Sequence, residues 1–277
     1  MKTVTFPSGE RVAAFGMGGW NLGDDAGARA EEIATLRLGL DSGATLIDTA
    51  EMYGDGRSEE LIAEAIAGRR DEVFLVSKVY PHNASAKGVP AACERSLRRL
   101  KTDRIDLYLL HWRGTVPLAE TLRSFMRLKE AGKIRHYGVS NLDISDMQEL
   151  WKLPGGKEVA TNQLLYNLTR RGIEWDLLPW MRQRHLPLMA YSPIEQGRLI
   201  GNRKLAAFAQ RNGMTPAQVA LAWVMRRDGV VAIPKAGTVE HVLENRKAVD
   251  IALSVADFVT LDASFPAPRT ARPLEML

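Results

Sequence analysis

An acid, a phenol, a cation and an imidazole, Asp48, Tyr53, Lys78 and His111, stand at or just beyond the ends of apolar runs that are otherwise unlike one another. The runs are Ala44-Thr45-Leu46-Ile47-Asp48, Val73-Phe74-Leu75-Val76-Ser77-Lys78 and Ile105-Asp106-Leu107-Tyr108-Leu109-Leu110-His111, with Tyr53 in the loop after the first. A tyrosine has a reference pKa of about 10, and bringing it near neutrality for use as a general acid takes about 3 to 4 kcal/mol. An ammonium about 4 Å from the phenol supplies approximately that much at an effective dielectric near 20. Lys78 can therefore tune Tyr53. A buried lysine loses its own proton unless an anion is near, and Asp48 is the natural partner. His111 adds a ring donor that can orient a carbonyl oxygen or share the proton. The set fits protonation of a carbonyl while a hydride arrives from a cofactor, and it lacks a nucleophile with an adjacent base.

These residues converge only if the runs are neighbouring parallel strands. Eight strand-like segments are found, at Ala13 to Met17, Thr45 to Asp48, Val73 to Lys78, Ile105 to Leu110, Tyr137 to Val139, Ala160 to Asn162, Pro187 to Tyr191 and Val230 to Ile233. Helical periodicity fills the gaps, with Ile33, Leu36 and Leu40 on one face, then Leu61, Ile62, Ala65 and Ile66, then Leu122, Phe125, Met126 and Lys129. Thr215-Pro216-Ala217-Gln218 reads as a capping box with proline at the first helical position. Eight alternating βα units predict an α/β fold of one domain over residues 1–277, a (β/α)8 barrel whose chemistry sits at the C-terminal ends of its strands. A short hairpin is expected before it, with Val4-Thr5-Phe6 and Arg11-Val12 flanking the turn Pro7-Ser8-Gly9-Glu10. The competing doubly wound sheet needs a dinucleotide fingerprint, but Gly16-Met17-Gly18-Gly19-Trp20-Asn21 ends on the wrong residue.

Composition excludes several classes. A 277-residue chain with 45% hydrophobic and 25% charged residues and a net charge of +4 is that of a globular protein. Its Lys and Arg are interleaved with Asp and Glu, so no nucleic-acid groove is indicated, and the cluster Arg95 to Lys101 reads as a solvated helix face. The single cysteine, Cys93, lies on an apolar helical face and reads as buried filler in a reducing compartment. No signal region or membrane span is apparent, which predicts a cytoplasmic protein that does not contact membrane. The five histidines, His82, His111, His136, His185 and His241, show no metal-ligand spacing, so no metal is expected. Nothing requires more than a monomer.

Seven blocks, in order, resemble the aldo-keto reductases over essentially the whole chain: Leu46 to Gly54, Ser77-Lys78-Val79, Asp106 to Trp112, Gly138-Val139-Ser140-Asn141, Asn162-Gln163, Ala190-Tyr191-Ser192-Pro193 and Ala232-Ile233-Pro234-Lys235. The chain is most similar to short bacterial members that reduce methylglyoxal and other small aldehydes. The resemblance implies the barrel, an extended nicotinamide dinucleotide, and a tetrad in which Tyr53 donates the proton, Lys78 and Asp48 tune it and His111 orients the substrate. It also implies that Ser140, Asn141 and Gln163 hold the carboxamide and that Tyr191 stacks under the nicotinamide. Ser192, Pro193 and Ile194 would run along the pyrophosphate, with Gly19, Trp20, Gln196, Leu199 and Ile233 completing the contacts. Lys235, Ala236, Thr238 and His241 would meet the 2'-phosphate, and Glu244 and Asn245 the adenine. The chain departs from the family's NADPH-preferring members at Ala236, where they carry Ser, and at His241, where they carry Arg. An imidazole is only partly charged near neutrality, so NADPH is expected as the better cofactor with NADH less strongly rejected.

For the substrate, Trp20 and Trp112 are the expected walls beside Tyr53 and His111, while Trp223 belongs to a helix stripe and reads as core. Only Arg113-Gly114-Thr115 separate Trp112 from the next helix, and twelve residues follow Phe265, so little material is expected to roof the pocket. A small aldehyde, oxo-aldehyde or ketone is the substrate class expected. Two other readings stay open: a non-catalytic nicotinamide-binding partner protein, and a Schiff-base aldolase with Lys78 as nucleophile.

Overall fold

The computed structural model describes residues 2–277. A hairpin of β1 (Thr3–Thr5) and β2 (Arg11–Ala13) comes first, paired antiparallel. Eight strands follow: β3 (Gly16–Gly18), β4 (Leu46–Asp48), β5 (Phe74–Val79), β6 (Ile105–Leu110), β7 (Ile134–Ser140), β8 (Asn162–Leu165), β9 (Leu188–Tyr191) and β10 (Val230–Ile233). They pair in parallel and in chain order. The sheet closes where the Ala232 N–H donates to the Ala14 carbonyl and the Gly18 N–H to the Pro234 carbonyl, both at 2.9 Å. One or two helices follow each strand: α1 (Arg29–Asp41), α2 (Arg57–Ala65), α3 (Gly88–Leu100), α4 (Leu118–Glu130), α5 (Ile144–Trp151), α6 (Leu177–Arg182), α7 (Arg203–Arg211), α8 (Pro216–Val224), α9 (Val239–Lys247) and α10 (Val255–Ser264). This is the expected (β/α)8 barrel with its hairpin.

Strand alternation divides the core in two. Ile47, Leu75, Tyr108, Leu110, Leu164 and Ala190 point outward and pack beneath the helices. Leu46, Val76, Leu107, Leu109, Met189 and Val231 point inward and fill the barrel, where Val4, Phe6 and Val12 of the hairpin close its lower end. Because side chains repeat every second residue along a strand, Asp48 shares the inward face with Leu46, Lys78 with Val76 and His111 with Leu109. The same alternation that builds the core thus aims three of the four polar groups into the barrel mouth.

The structure corrects several boundaries. The first barrel strand starts at Gly16, not Ala13, because residues 11–13 are taken by the hairpin. The strand expected at Ala160 to Asn162 runs Asn162–Leu165, in register with β9, and the one expected at Tyr137 to Val139 begins at Ile134, which pairs with Ile105. The cluster Arg95 to Lys101 is not a solvated face: Arg95 pairs with Glu51 at 3.0 Å and Arg99 with Glu59 at 3.3 Å, both acids buried. Thr215 and Gln218 form the expected capping box on α8, and Trp223 is fully buried. Cys93 is buried as well, and burial pushes its thiol up to about 12, which leaves it unreactive. Among the described residues no helix is long and apolar enough to cross a membrane.

Phe6 meets Phe74 edge-on at 5.6 Å between ring centroids and is 2% exposed. Phe6→Ala is expected to remove roughly 3 kcal/mol of stability in a urea titration; a loss below about 1 kcal/mol would show that the hairpin does not plug the barrel.

Candidate active site

Lys78, fully buried at the end of β5, organises the barrel mouth. Its ammonium donates to Oδ2 of Asp48 at 2.7 Å, to the Thr49 carbonyl at 2.8 Å and to the Tyr53 hydroxyl at 3.0 Å. An ammonium has three hydrogens, and all three have a partner. Burial works against the charge, but Asp48 and Tyr53 outweigh it and hold Lys78 above its ordinary value. Tyr53 reaches this point because the turn after it, Gly54-Asp55-Gly56, runs through left-handed φ values of 57, 54 and 95°, a path that glycine makes accessible.

The phenol of Tyr53 departs from the sequence-based expectation. Burial is the dominant influence and pushes its pKa above the ordinary value; Lys78 pulls it down, Asp48 adds to the rise, and the net direction is upward. The expected lowering by Lys78 is present but is outweighed. Tyr53 therefore keeps its proton at neutral pH. His111, 8% exposed, lies 5.8 Å from Tyr53 between ring centroids. Burial, with Lys78 adding to it, drives the imidazole down to about 2, so it is neutral and carries one N–H.

Polar side chains continue the network round the mouth. Gln163 Nε2 donates to Oδ1 of Asp48 at 2.7 Å, so both carboxylate oxygens are engaged. The Ser140 hydroxyl donates to the Gln163 carbonyl at 3.0 Å, Asn141 Nδ2 to the Ser140 hydroxyl and the His111 carbonyl at 3.2 Å each, and the Tyr191 hydroxyl to Oδ1 of Asn141 at 3.0 Å. The residues expected on the nicotinamide side are thus joined to the tetrad through Asp48. Gly19 abuts β4, its N–H donating to the Asp48 carbonyl at 2.7 Å; a Cβ there would stand 2.8 Å from both that oxygen and the Ser58 hydroxyl, so no side chain fits.

Aromatic rings form one side of the opening. Trp20, 42% exposed, stands edge-on to Tyr53 at 4.9 Å, and Trp112 lies 4.8 Å from His111. Tyr80, which sequence reasoning missed, meets Trp112 edge-on at 5.4 Å. Its position directly after Lys78-Val79 was the available signal. Glu51 was missed too: this buried acid accepts from the Tyr80 N–H at 2.8 Å, from Asn83 at 3.0 Å and from Arg95 at 3.0 Å, fixing the loop that carries Tyr80.

Ser192, Pro193, Ile194, Gln196 and Leu199 lie in the loop after β9, in which Ser192, Glu195 and Gln196 are all left-handed. Ile233 ends β10, and Lys235 and Ala236 follow it. Thr238 caps α9 by accepting from the His241 N–H, while His241 is exposed, Glu244 half-buried and Asn245 buried on that helix. Lys235 Nζ stands 2.9 Å from where a Cβ on Gly237 would be, which puts a cation beside the N-terminus of α9. A cation and a helix N-terminus together suit a phosphate, and the amide and hydroxyl line from Asn141 to Gln163 offers both donors and acceptors to a carboxamide. The residues fit a nicotinamide dinucleotide laid from α9 to Asp48.

The model of the Aldo/keto reductase family matches residues 14–265, and the chain belongs to that family. It is 50% identical to the methylglyoxal reductase YeaE of Escherichia coli (strain K12), across 100% of this chain and 99% of that protein. It is 32% identical to the glyoxal reductase of Bacillus subtilis (strain 168), across 94% and 92% of the two chains. An aldo/keto reductase from Klebsiella pneumoniae, crystallised with NADP and acetate, superposes with a TM-score of 0.97 at 51% identity, across 100% of this chain and 99% of that one.

The depressed pKa of His111 has a consequence for stability. An unfolded chain takes up a proton at an ordinary imidazole below pH about 6.5 whereas the folded one does not, so this contribution is complete above that pH and is lost as pH falls below it. Between pH 6 and pH 4, His111→Gln is expected to flatten the fall in unfolding free energy by up to about 1.4 kcal/mol per pH unit. Equal slopes for the two proteins would mean that His111 protonates freely in the fold.

Proposed function

We propose that this protein reduces small aldehydes, oxo-aldehydes of the methylglyoxal type and unhindered ketones to alcohols, taking NADPH as reductant and Tyr53 as proton donor. The single observation that carries the reading is the fully paired ammonium of Lys78 with Tyr53 on one side and Asp48 on the other. Family membership and the similarity to NADP-bound and methylglyoxal-reducing relatives support it.

When bound, the reduced nicotinamide supplies the hydride. Ser140, Asn141 and Gln163 hold its carboxamide, Tyr191 faces its ring, the loop after β9 spans the pyrophosphate, and Lys235 with the α9 N-terminus meets the 2'-phosphate. The neutral His111 donates its ring N–H to the substrate carbonyl and fixes that oxygen against Tyr53. As the oxygen gains negative charge it becomes a far stronger base than a phenolate, so the raised pKa of Tyr53 does not prevent transfer. The Tyr53 hydroxyl gives up its proton to this oxygen, and the Lys78 ammonium, already hydrogen-bonded to the phenol, stabilises the phenolate left behind. Asp48 keeps Lys78 charged throughout. The aromatic wall of Trp20, Tyr80 and Trp112 favours compact substrates.

Lys78 is poorly suited to Schiff-base chemistry. A nucleophilic amine must lose its proton, while this one is held charged and has no free hydrogen to give up without breaking the site. The set Asp48, Tyr53, Lys78 and His111 likewise argues against a binding-only role. We place the enzyme in the cytoplasm as a monomer.

Tyr53→Phe keeps the ring and deletes the proton, so aldehyde-dependent NADPH oxidation should fall at least about a hundredfold while NADPH still binds, as read by fluorescence titration. Turnover within about tenfold of the unaltered protein would remove Tyr53 as donor. Screening methylglyoxal, aromatic aldehydes, sugars and keto-steroids with the unaltered enzyme tests the substrate class, and turnover confined to the bulky compounds would refute it.

Cofactor choice gives a separate test. Because an arginine is a fixed, bidentate cation suited to a phosphate, His241→Arg should widen the preference for NADPH over NADH in kcat/KM. A strong NADH preference in the unaltered protein, or no change on His241→Arg, would refute the assignment of this end of the cleft.

A further inference from the structure

The loop after β9 and the segment that follows α10 are tied to one guanidinium. Arg170 lies in the turn after β8. It donates through Nε and Nη2 to Oε1 of Glu195, at 3.0 and 2.8 Å, and through Nη1 to Oε1 of Glu275, at 2.7 Å. Glu195 is 5% exposed, and its other oxygen accepts from Asn167 Nδ2 at 2.7 Å. Asn167, fully buried, holds the same loop a second time by donating to the Ser192 carbonyl at 2.9 Å, and its own oxygen accepts from the backbone N–H groups of Thr169 and Arg170. The turn that carries Arg170 is thereby locked to the loop.

That loop needs holding. Ser192, Glu195 and Gln196 have φ values of 47, 52 and 53°, a left-handed conformation that non-glycine residues adopt only when their surroundings impose it. Glu195 is both one of the strained residues and the buried anchor. At the other end of the guanidinium, Glu275 packs against Gly172. Burial pushes the Tyr191 phenol up to about 12, and the Leu277 backbone opposes that rise. The segment 266–277 is therefore tied, through Glu275 and Arg170, to the loop after β9.

We propose that Arg170 is a positioning residue that couples the loop Ser192–Leu199 to the segment 266–277, so that the two open and close together on the dinucleotide. The inference rests on the NADPH reading above, because the loop spans the proposed pyrophosphate position and Tyr191 faces the proposed nicotinamide. Arg170 contacts neither; it acts through Glu195 at one end and Glu275 at the other. Cutting the Glu275 link leaves the loop's own clasp by Asn167 and Arg198 in place, yet still shortens the residence time of the dinucleotide.

The test is stopped-flow fluorescence of NADPH binding and release by the full chain, without substrate, in unaltered protein, Glu275→Gln, Glu195→Gln and the double variant. Expected are release rates about fivefold or more faster in each single variant, with the double variant falling short of the product of the two by more than about twofold. Arg170→Met, which cuts both links but leaves the Asn167 and Arg198 bonds to Glu195, should speed release at least as much as Glu275→Gln. A Glu275→Gln release rate within about twofold of the unaltered protein, or effects in the two singles that simply multiply, would overturn the coupling even though NADPH binds. Failure of the unaltered protein to bind NADPH would instead overturn the functional reading on which the coupling rests. Glu275 is part-exposed, so its substitution does not threaten the fold.

Discussion

A charged pair closed off from water, Lys78 with Asp48, is the constraint to which the barrel mouth is fitted. Their side chains are 0% and 3% exposed, and taking two such charges out of water costs several kcal/mol per ion unless every hydrogen and lone pair finds a partner. The surroundings meet that demand. Thr49 and Tyr53 take the two ammonium hydrogens that Asp48 leaves, and Gln163 takes the carboxylate oxygen that Lys78 leaves. The demand extends behind the strand. Ser77, beside Lys78 but pointing outward, donates to the buried Glu59, whose carboxyl burial pushes upward while Arg99 braces it. Two arginines of α3, Arg95 and Arg99, are thus spent on the buried acids Glu51 and Glu59.

The dry field around this pair also sets the protonation of its neighbours. The imidazole is held neutral and the phenol protonated by the same burial that keeps water away, and in both cases burial is a larger influence than the nearby ammonium. In the proposed reaction, a proton donor built this way depends on the substrate oxygen becoming strongly basic as the hydride arrives, and on a cation already in place to receive the phenolate. In that proposed reaction the lysine acts on the product of the transfer more than on the resting acid.

Much of this was legible in the sequence because it depends on local pattern. Period-two alternation in Leu46-Ile47-Asp48, Val76-Ser77-Lys78 and Leu109-Leu110-His111 fixes which residues face inward, and eight such segments fix the barrel. Family motifs then marked the residues of the proposed cofactor cleft. What was not legible depends on tertiary contact. Arg95 and Arg99 look like a solvated stripe until Glu51 and Glu59 are brought beneath them. The direction of the Tyr53 shift follows from how deeply its ring is buried, which no spacing reveals. Arg170, Glu195 and Glu275 are surface-type residues separated by 25 and 80 positions, and only the fold makes them one cluster. The strand ends moved because pairing partners, such as Ile105 for Ile134, decide where a ladder begins.

That the Lys78–Asp48 pair serves the proposed reaction more than the fold is tested by the charge-neutral double variant Asp48→Asn/Lys78→Met, in which neither charge is left buried and unpaired. This variant should be about as stable as the unaltered protein, or more so, and still bind NADPH, but reduce methylglyoxal in single turnover at least about a hundredfold more slowly. A variant that folds, binds NADPH and reduces the aldehyde within about tenfold of the unaltered rate would contradict it.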